Sequence, residues 1–161
     1  MADVSGTSGG QAVSTEYAGF GRRLLGLIID GIVIAVIAGV LSFALGAAGV
    51  ARLYGFVGAE AVVALVYYTW GWGSGQTVGC MVMNMRLADQ DTGSAPGYAK
   101  GLIRAIVVLV LSYGATLAQL SGSQALGILG LLGLVGDLWM LWDAKKQTWQ
   151  DKVAGTIVVS A

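Results

Sequence analysis

Residues 17–40 read YAGFGRRLLGLIIDGIVIAVIAGV. The arginine pair Arg22-Arg23 opens an apolar helix, and Asp30 stands inside it. Arg23 and Asp30 are two helical turns apart, so they share a face with about 10 Å of axial rise between them. From Gly31 to Leu45 there is no charged residue, and a run of that kind predicts a helix that enters a bilayer. A carboxylate in such a helix is costly unless protein, water or a partner faces it, which makes Asp30 a candidate functional residue.

Composition extends that reading to the whole chain. The 161 residues have room for one domain. Hydrophobic residues make up 56% and charged residues 11%, against about a quarter charged in soluble domains. Mean hydropathy is +0.75. Zero formal charge argues against nucleic acid as a partner. There is no histidine and one cysteine, Cys80. Those counts exclude a histidine-based metal site, a Ser-His or Cys-His pair and an intrachain disulfide. No cofactor motif is present either, so neither an enzyme nor a metal or cofactor is expected. The 26 glycines lie mostly inside apolar runs, which suits close helix packing.

Residues 1–16 are small and polar without apolar periodicity and read as a disordered cytoplasmic tail. The membrane domain is expected over 17–161, with spans at about 24–45, 53–72, 101–120 and 125–142. With both termini and the 73–100 loop on one side, that side holds Arg22, Arg23, Arg86, Lys100, Arg104, Lys145, Lys146 and Lys152. The other side holds Arg52. Positive charge marks the cytoplasmic face, so both termini are expected in the cytoplasm. Trp70, Trp72, Trp139 and Trp142 fall at the same ends of their spans, where aromatic belts sit. The expected fold is an all-α integral membrane bundle of four transmembrane helices, N-in and C-in, under a small cytoplasmic cap with room for a β-hairpin.

The material for that cap is in the loop and the tail. Met81, Met83 and Met85 alternate with Val82, Asn84 and Arg86, a period-two pattern that predicts a short strand. Asp91-Thr92-Gly93 supplies a turn, and Thr156–Val159 a strand partner. Such a cap would bring Asp151 near Arg86 or Arg23; the alternative for Asp151 is a local turn or cap residue. GSGQTVG has the glycines of a phosphate loop but no lysine follows, so nucleotide binding is not expected. Cys80 lacks an activating neighbour and reads as inert. Lys145-Lys146 beside Trp142 and Trp149 reads as an anchor to anionic lipid.

Four blocks in order, YAGFGRRLLGLIID, SGQTVGCMVMNMRLADQDTG, LIRAIV and LWDAKKQTWQDKVAGTIVV, resemble the RDD family of small membrane proteins, named for one arginine and two aspartates. The resemblance covers nearly all of Tyr17–Val159. By position it makes Arg23 the arginine, Asp30 the first aspartate and Asp151 the second. It implies a fold and a cell-membrane address, and for some members cation/proton exchange has been suggested. Cys80 stands where relatives usually have a basic residue, and Gln150 where they often have histidine.

Depth along the helices suggests a polar layer. Asp30 and Asp137 each lie roughly 8–11 Å inside the cytoplasmic face, and Arg104 enters the third span within snorkelling reach. Gly26 shares the face of Asp30, and Gly130 and Gly133 share that of Asp137, so helices can approach closely there. Asp30 and Asp137 are expected to point inward, at each other or at Arg23 and Arg104. Two functional classes follow. One is a non-enzymatic accessory or assembly subunit of a larger membrane complex, its Asp–Arg layer a lock on helix register. The other is a small cation/proton antiporter in which paired carboxylates exchange a proton for a monovalent cation. Glu60, toward the outer half of the second span, is a secondary candidate that extends a carboxylate path or faces a partner. The expected partners are the bilayer, other membrane subunits or a second copy of the chain.

Overall fold

A computed structural model describes residues 16–46, 49–122 and 124–161. Four long helices come in two consecutive pairs, each pair followed by smaller elements. Helix α1 is Phe20–Ala44 and α2 is Gly49–Ser74. The short α3 (Val78–Val82) leads into strand β1 (Met85–Asp89). Helix α4 is Tyr98–Ser121 and α5 is Gln124–Leu138, prolonged by a 3-10 turn at Trp139–Leu141. Helix α6 (Trp149–Ala154) and strand β2 (Thr156–Ser160) complete the order. The 1–16 tail lies outside the described residues except for Glu16.

The four long helices fall where the apolar runs predict helices, with α2 packed between α1 and α4, and α5 against α4. The fold is mostly helical with one small sheet. Among the described residues, α1 is the helix that is long and apolar enough to cross a membrane; Gly127–Leu141 is apolar but shorter. Fifteen residues rise about 22 Å, less than the roughly 30 Å hydrocarbon core of a bilayer.

Helix α1 shows how small residues set the packing. Its buried positions are Gly26, Asp30, Ile34, Ala38 and Ser42, one every four residues, which makes a single stripe. Ile32, Val36 and Val40 face outward on the same helix. Val62 and Val66 on α2, Ile106 and Val110 on α4, and Leu131 and Leu134 on α5 are likewise exposed. The buried core is built largely from smaller or aromatic side chains such as Ala64, Tyr68, Trp72 and Ala105. Large aliphatic residues outside and small or polar ones inside reverse the usual arrangement of a soluble domain.

The cap differs from the expected hairpin. Strands β1 and β2 pair antiparallel, with Leu87 opposite Val158 and Asp89 opposite Thr156, but they come from distant parts of the chain. Tyr17 bridges Val159 on the other side of β2, and Ala18 N–H donates to Val158 O at 2.9 Å. The Asp91-Thr92-Gly93 turn is present, but it leads from β1 to α4 instead of to a strand. The strand expected from Met81 begins only at Met85. Residues 78–82 are helical because Thr77 caps them: its hydroxyl accepts from Cys80 N–H at 3.2 Å. Alternating Met and polar side chains do not outweigh that cap and the contact it serves.

That contact is the approach of α3 to α1. A β-carbon on Gly79 would stand 2.0 Å from the carbonyl oxygen of Gly26, so only glycine permits it. Gly79→Ala is therefore expected to destabilise the protein by about 3 kcal/mol, the upper range for overpacking. Gly31→Ala, where an added β-carbon meets nothing within 4 Å, is the matched control and should be neutral or slightly stabilising. Thermal melts of the two purified variants make the comparison.

Candidate functional site: a carboxylate between two arginines

Asp151 is 0% exposed, at the third position of α6. It gets there through its own helix start. The Thr148 hydroxyl accepts from Asp151 N–H at 3.4 Å while Asp151 Oδ2 accepts from Thr148 N–H at 3.1 Å, a reciprocal capping box. The same carboxylate accepts from Arg23 Nη1 at 2.7 Å through Oδ2 and from Arg104 Nη1 through Oδ1. Thr156 Oγ1 donates to Oδ1 at 3.4 Å. One side chain thus serves as helix cap and as ion-pair partner, the two roles that the sequence leaves as alternatives. Arg86, the other basic residue expected nearby, instead donates to Gly93 O at 3.2 Å.

Both guanidiniums are fixed by further contacts. Arg23 Nε donates to Ala18 O at 3.2 Å and its Nη2 to Val158 O at 3.4 Å, tying α1 to the edge of the sheet. Arg104 Nη1 also donates to Thr156 Oγ1 at 3.2 Å, and its guanidinium lies 4.5 Å over the Trp72 ring. Elements α1, α2, α4, α6 and β2 therefore all meet at this cluster. Buried ion pairs are costly to desolvate, and removing one partner leaves an uncompensated charge.

Asp30 is 4% exposed and belongs to a second cluster. Its Oδ1 accepts from the Tyr67 hydroxyl at 2.6 Å and from Gly79 N–H at 2.7 Å, and its Oδ2 accepts from the Thr77 hydroxyl at 2.7 Å. Tyr67 Oη in turn accepts from Val78 N–H at 3.0 Å. Asp30 therefore pins the start of α3 and the end of α2 to α1. A cavity of about 60 Å³ lies between the two clusters, lined by Arg23, Asp30, Trp72, Cys80 and Arg104 among others.

The expected meeting of Asp30 and Asp137 does not occur. Asp137 is exposed on α5 and accepts from Gln150 Nε2 at 2.6 Å. Depth along a helix fixes height but not azimuth, and neither aspartate binds an arginine. Arg23 and Arg104 are brought together, but around Asp151. Glu60 is half-buried on α2 and, among the described residues, is joined to none of these groups by a hydrogen bond or ion pair. The partners that the sequence reading did not name are Trp72, Tyr67, Thr77 and Gly79. The pattern Thr148-x-x-Asp151, a capping-box spacing, was available as a signal for the α6 start. Nothing local announces the partners of Asp30.

The match with a protein-family model covers residues 17–155, under the description RDD family. The chain belongs to the RDD family. No curated protein and no solved structure matches it. Arg23 and Asp151 are in direct contact here, and Asp30 shares the small cavity with Arg23.

Outside the helices, Asp89 closes the turn after β1. It accepts from Lys100 Nζ at 2.5 Å and from the N–H groups of Asp91 and Thr92 at 2.9 and 3.1 Å. The Lys100 ammonium first, then the two backbone donors, pull its carboxyl down to about 2. A depressed carboxylate stabilises the fold above its unfolded pKa of about 4 and loses that contribution as pH falls toward 2. The stability gap between wild type and Asp89→Asn should therefore be constant above about pH 4 and close between pH 4 and 2, as read from melts across pH. At neutral pH, Asp151→Asn should cost about 3–5 kcal/mol, because two buried guanidiniums lose their counter-charge. Asp137→Asn, which alters one exposed hydrogen bond, should cost about 1 kcal/mol or less. Denaturant or thermal unfolding of the two variants gives the comparison.

Proposed function

We propose that this RDD protein is a non-enzymatic accessory or assembly subunit of a larger membrane complex. In this reading α1, α2 and α4 cross the membrane, α5 does so only together with its 3-10 extension to Leu141, and the sheet and both chain ends lie on the cytoplasmic side of the plasma membrane. Several features support the placement. Exposed aliphatic residues line every long helix, as expected where lipid replaces water. The segment around Tyr17 is joined to β2, so the two ends of the described chain lie at one end of the bundle, together with eight of the nine Lys and Arg residues.

The observation that carries the accessory reading is the use made of the charged layer. Asp151 and Asp30 are saturated by donors of the protein itself, and each joins several elements of the fold. Packing and polar contacts, not the hydrophobic effect, hold helices together in lipid, so such joints are architecture. A second reading, cation/proton exchange, draws on the 60 Å³ cavity beside Asp30, which is roomy enough for a water-sized occupant. The separation of Asp30 from Asp137 takes away the paired carboxylates that this reading would use.

The deciding experiment places purified protein in sealed liposomes with a pH-sensitive dye inside and imposes Na⁺, K⁺ and Li⁺ gradients. The expected result is no cation-driven proton flux above empty liposomes, together with stable co-purification of other membrane subunits in mild detergent. A flux that Asp30→Asn abolishes, with the variant still folded, would replace the accessory reading by the exchanger.

A further inference from the structure

An apolar groove of about 430 Å³ runs along the outside of α4 where α6 abuts it. Its floor is Ile106, Val107, Val110 and Leu111 of α4, with Val153 and Trp149 of α6 at one end. No polar surface is exposed within it, and Lys152 of α6 is among the residues that line it. From Ile106 to Leu111 the groove follows α4 for about 7–8 Å, away from the end of the helix that carries Lys100 and Arg104. Val153 is 61% exposed although it points along this slot, so α6 does not fill the space it borders.

The mouth is cationic. Asp143 ties Lys152 to the turn that carries Lys145 and Lys146. Its carboxylate pairs with Lys152 Nζ and accepts from the N–H of Lys145 and of Gln147, each at 3.1 Å, so the turn carrying Lys145 and Lys146 folds back toward α6. Both of those lysines are exposed. Lys152 neutralises Asp143, and Lys145 and Lys146 leave two further positive charges on the adjoining turn.

We propose that this groove holds one acyl chain of an anionic phospholipid, its phosphate at the Lys145, Lys146 and Lys152 cluster and its chain along α4. The inference rests on the membrane placement made above. Within that placement the polarity of the groove matches a lipid of the cytoplasmic leaflet. The cations and the Trp149 ring lie at headgroup depth, and the dry slot runs toward the bilayer centre. A protein helix in the same slot would have to leave the lysine cluster facing its own polar end, whereas a phospholipid satisfies both parts with one molecule.

The test uses the full chain, purified in mild detergent and exchanged into nanodiscs of phosphatidylcholine with or without phosphatidylglycerol. Membrane placement is checked first and separately, by retention of the protein in the membrane pellet after an alkaline carbonate wash. Loss from the pellet would overturn that placement and this inference together. With the protein in the pellet, native mass spectrometry should show one retained phosphatidylglycerol in preference to phosphatidylcholine. Val110→Trp fills the slot and should abolish retention of either lipid, and Ile106→Trp is the second variant of the same kind should the first fail to fold. Lys152→Gln should keep a bound lipid but lower the preference for phosphatidylglycerol about fivefold, the factor that goes with one lysine near an anionic surface. Equal retention by wild type and the folded tryptophan variant would overturn the proposal. A co-purifying protein segment cross-linked at Val110 would overturn it in favour of a subunit contact.

Discussion

Asp151 is the point on which the structure depends. Two arginines from helices far apart in the chain converge on it, and neither guanidinium has another acid within hydrogen-bonding reach among the described residues. Burial makes the arrangement all or nothing. One carboxylate, enclosed by Arg23, Arg104, Thr148 and Thr156, serves two guanidiniums, so its loss would leave both without a counter-charge in a low-dielectric place. The aromatic face of Trp72 under Arg104 adds a fifth element to the joint without adding charge. Helix α6 is only six residues long, and it holds its place because its capping residue is also the anion that the two arginines require.

The second joint, at Asp30, has a different chemistry. Hydroxyls and a backbone N–H replace guanidiniums there, and the close contact of Gly79 with Gly26 brings the N–H within reach. Glycine at position 79 is a condition of the hydrogen bond: a side chain there would hold α3 away from α1 and leave Asp30 without one of its donors. Steric permission and polar satisfaction are therefore one event. The small cavity between the joints lies between Asp30 and the two arginines that hold Asp151.

Much of this was legible in the residues. The four apolar runs gave the four long helices, and the charge asymmetry gathered the ends of the chain with the basic residues. The strand at Thr156 follows from the same reading, and Arg23 is one of the two arginines it sets near Asp151. The failures have physical causes. Asp30 and Asp137 were grouped because periodicity reports how far along a helix a residue lies, and the rotation of α5 relative to α1 depends on packing that includes Trp149 against Gly136. The strand expected from Met81 gave way to α3 because Thr77 offers a cap and Gly79 a close contact, and both outweigh a weak alternation. Tyr67 and Thr77, more than thirty residues from Asp30, carry no local mark of the partnership.

The long separation within the Asp151 joint has a consequence for how the protein is made. Asp151 follows Arg23 by 128 residues and Arg104 by 47, so a ribosome delivers both cations well before the anion. Until α6 emerges, α1 and α4 each carry a guanidinium that has nothing to neutralise it at the place it will be buried. The bundle can therefore close only after its late-made segment arrives, and a chain cut short before residue 151 retains two unpaired charges. The arrival of α6 is in this way written into the stability of the first helix.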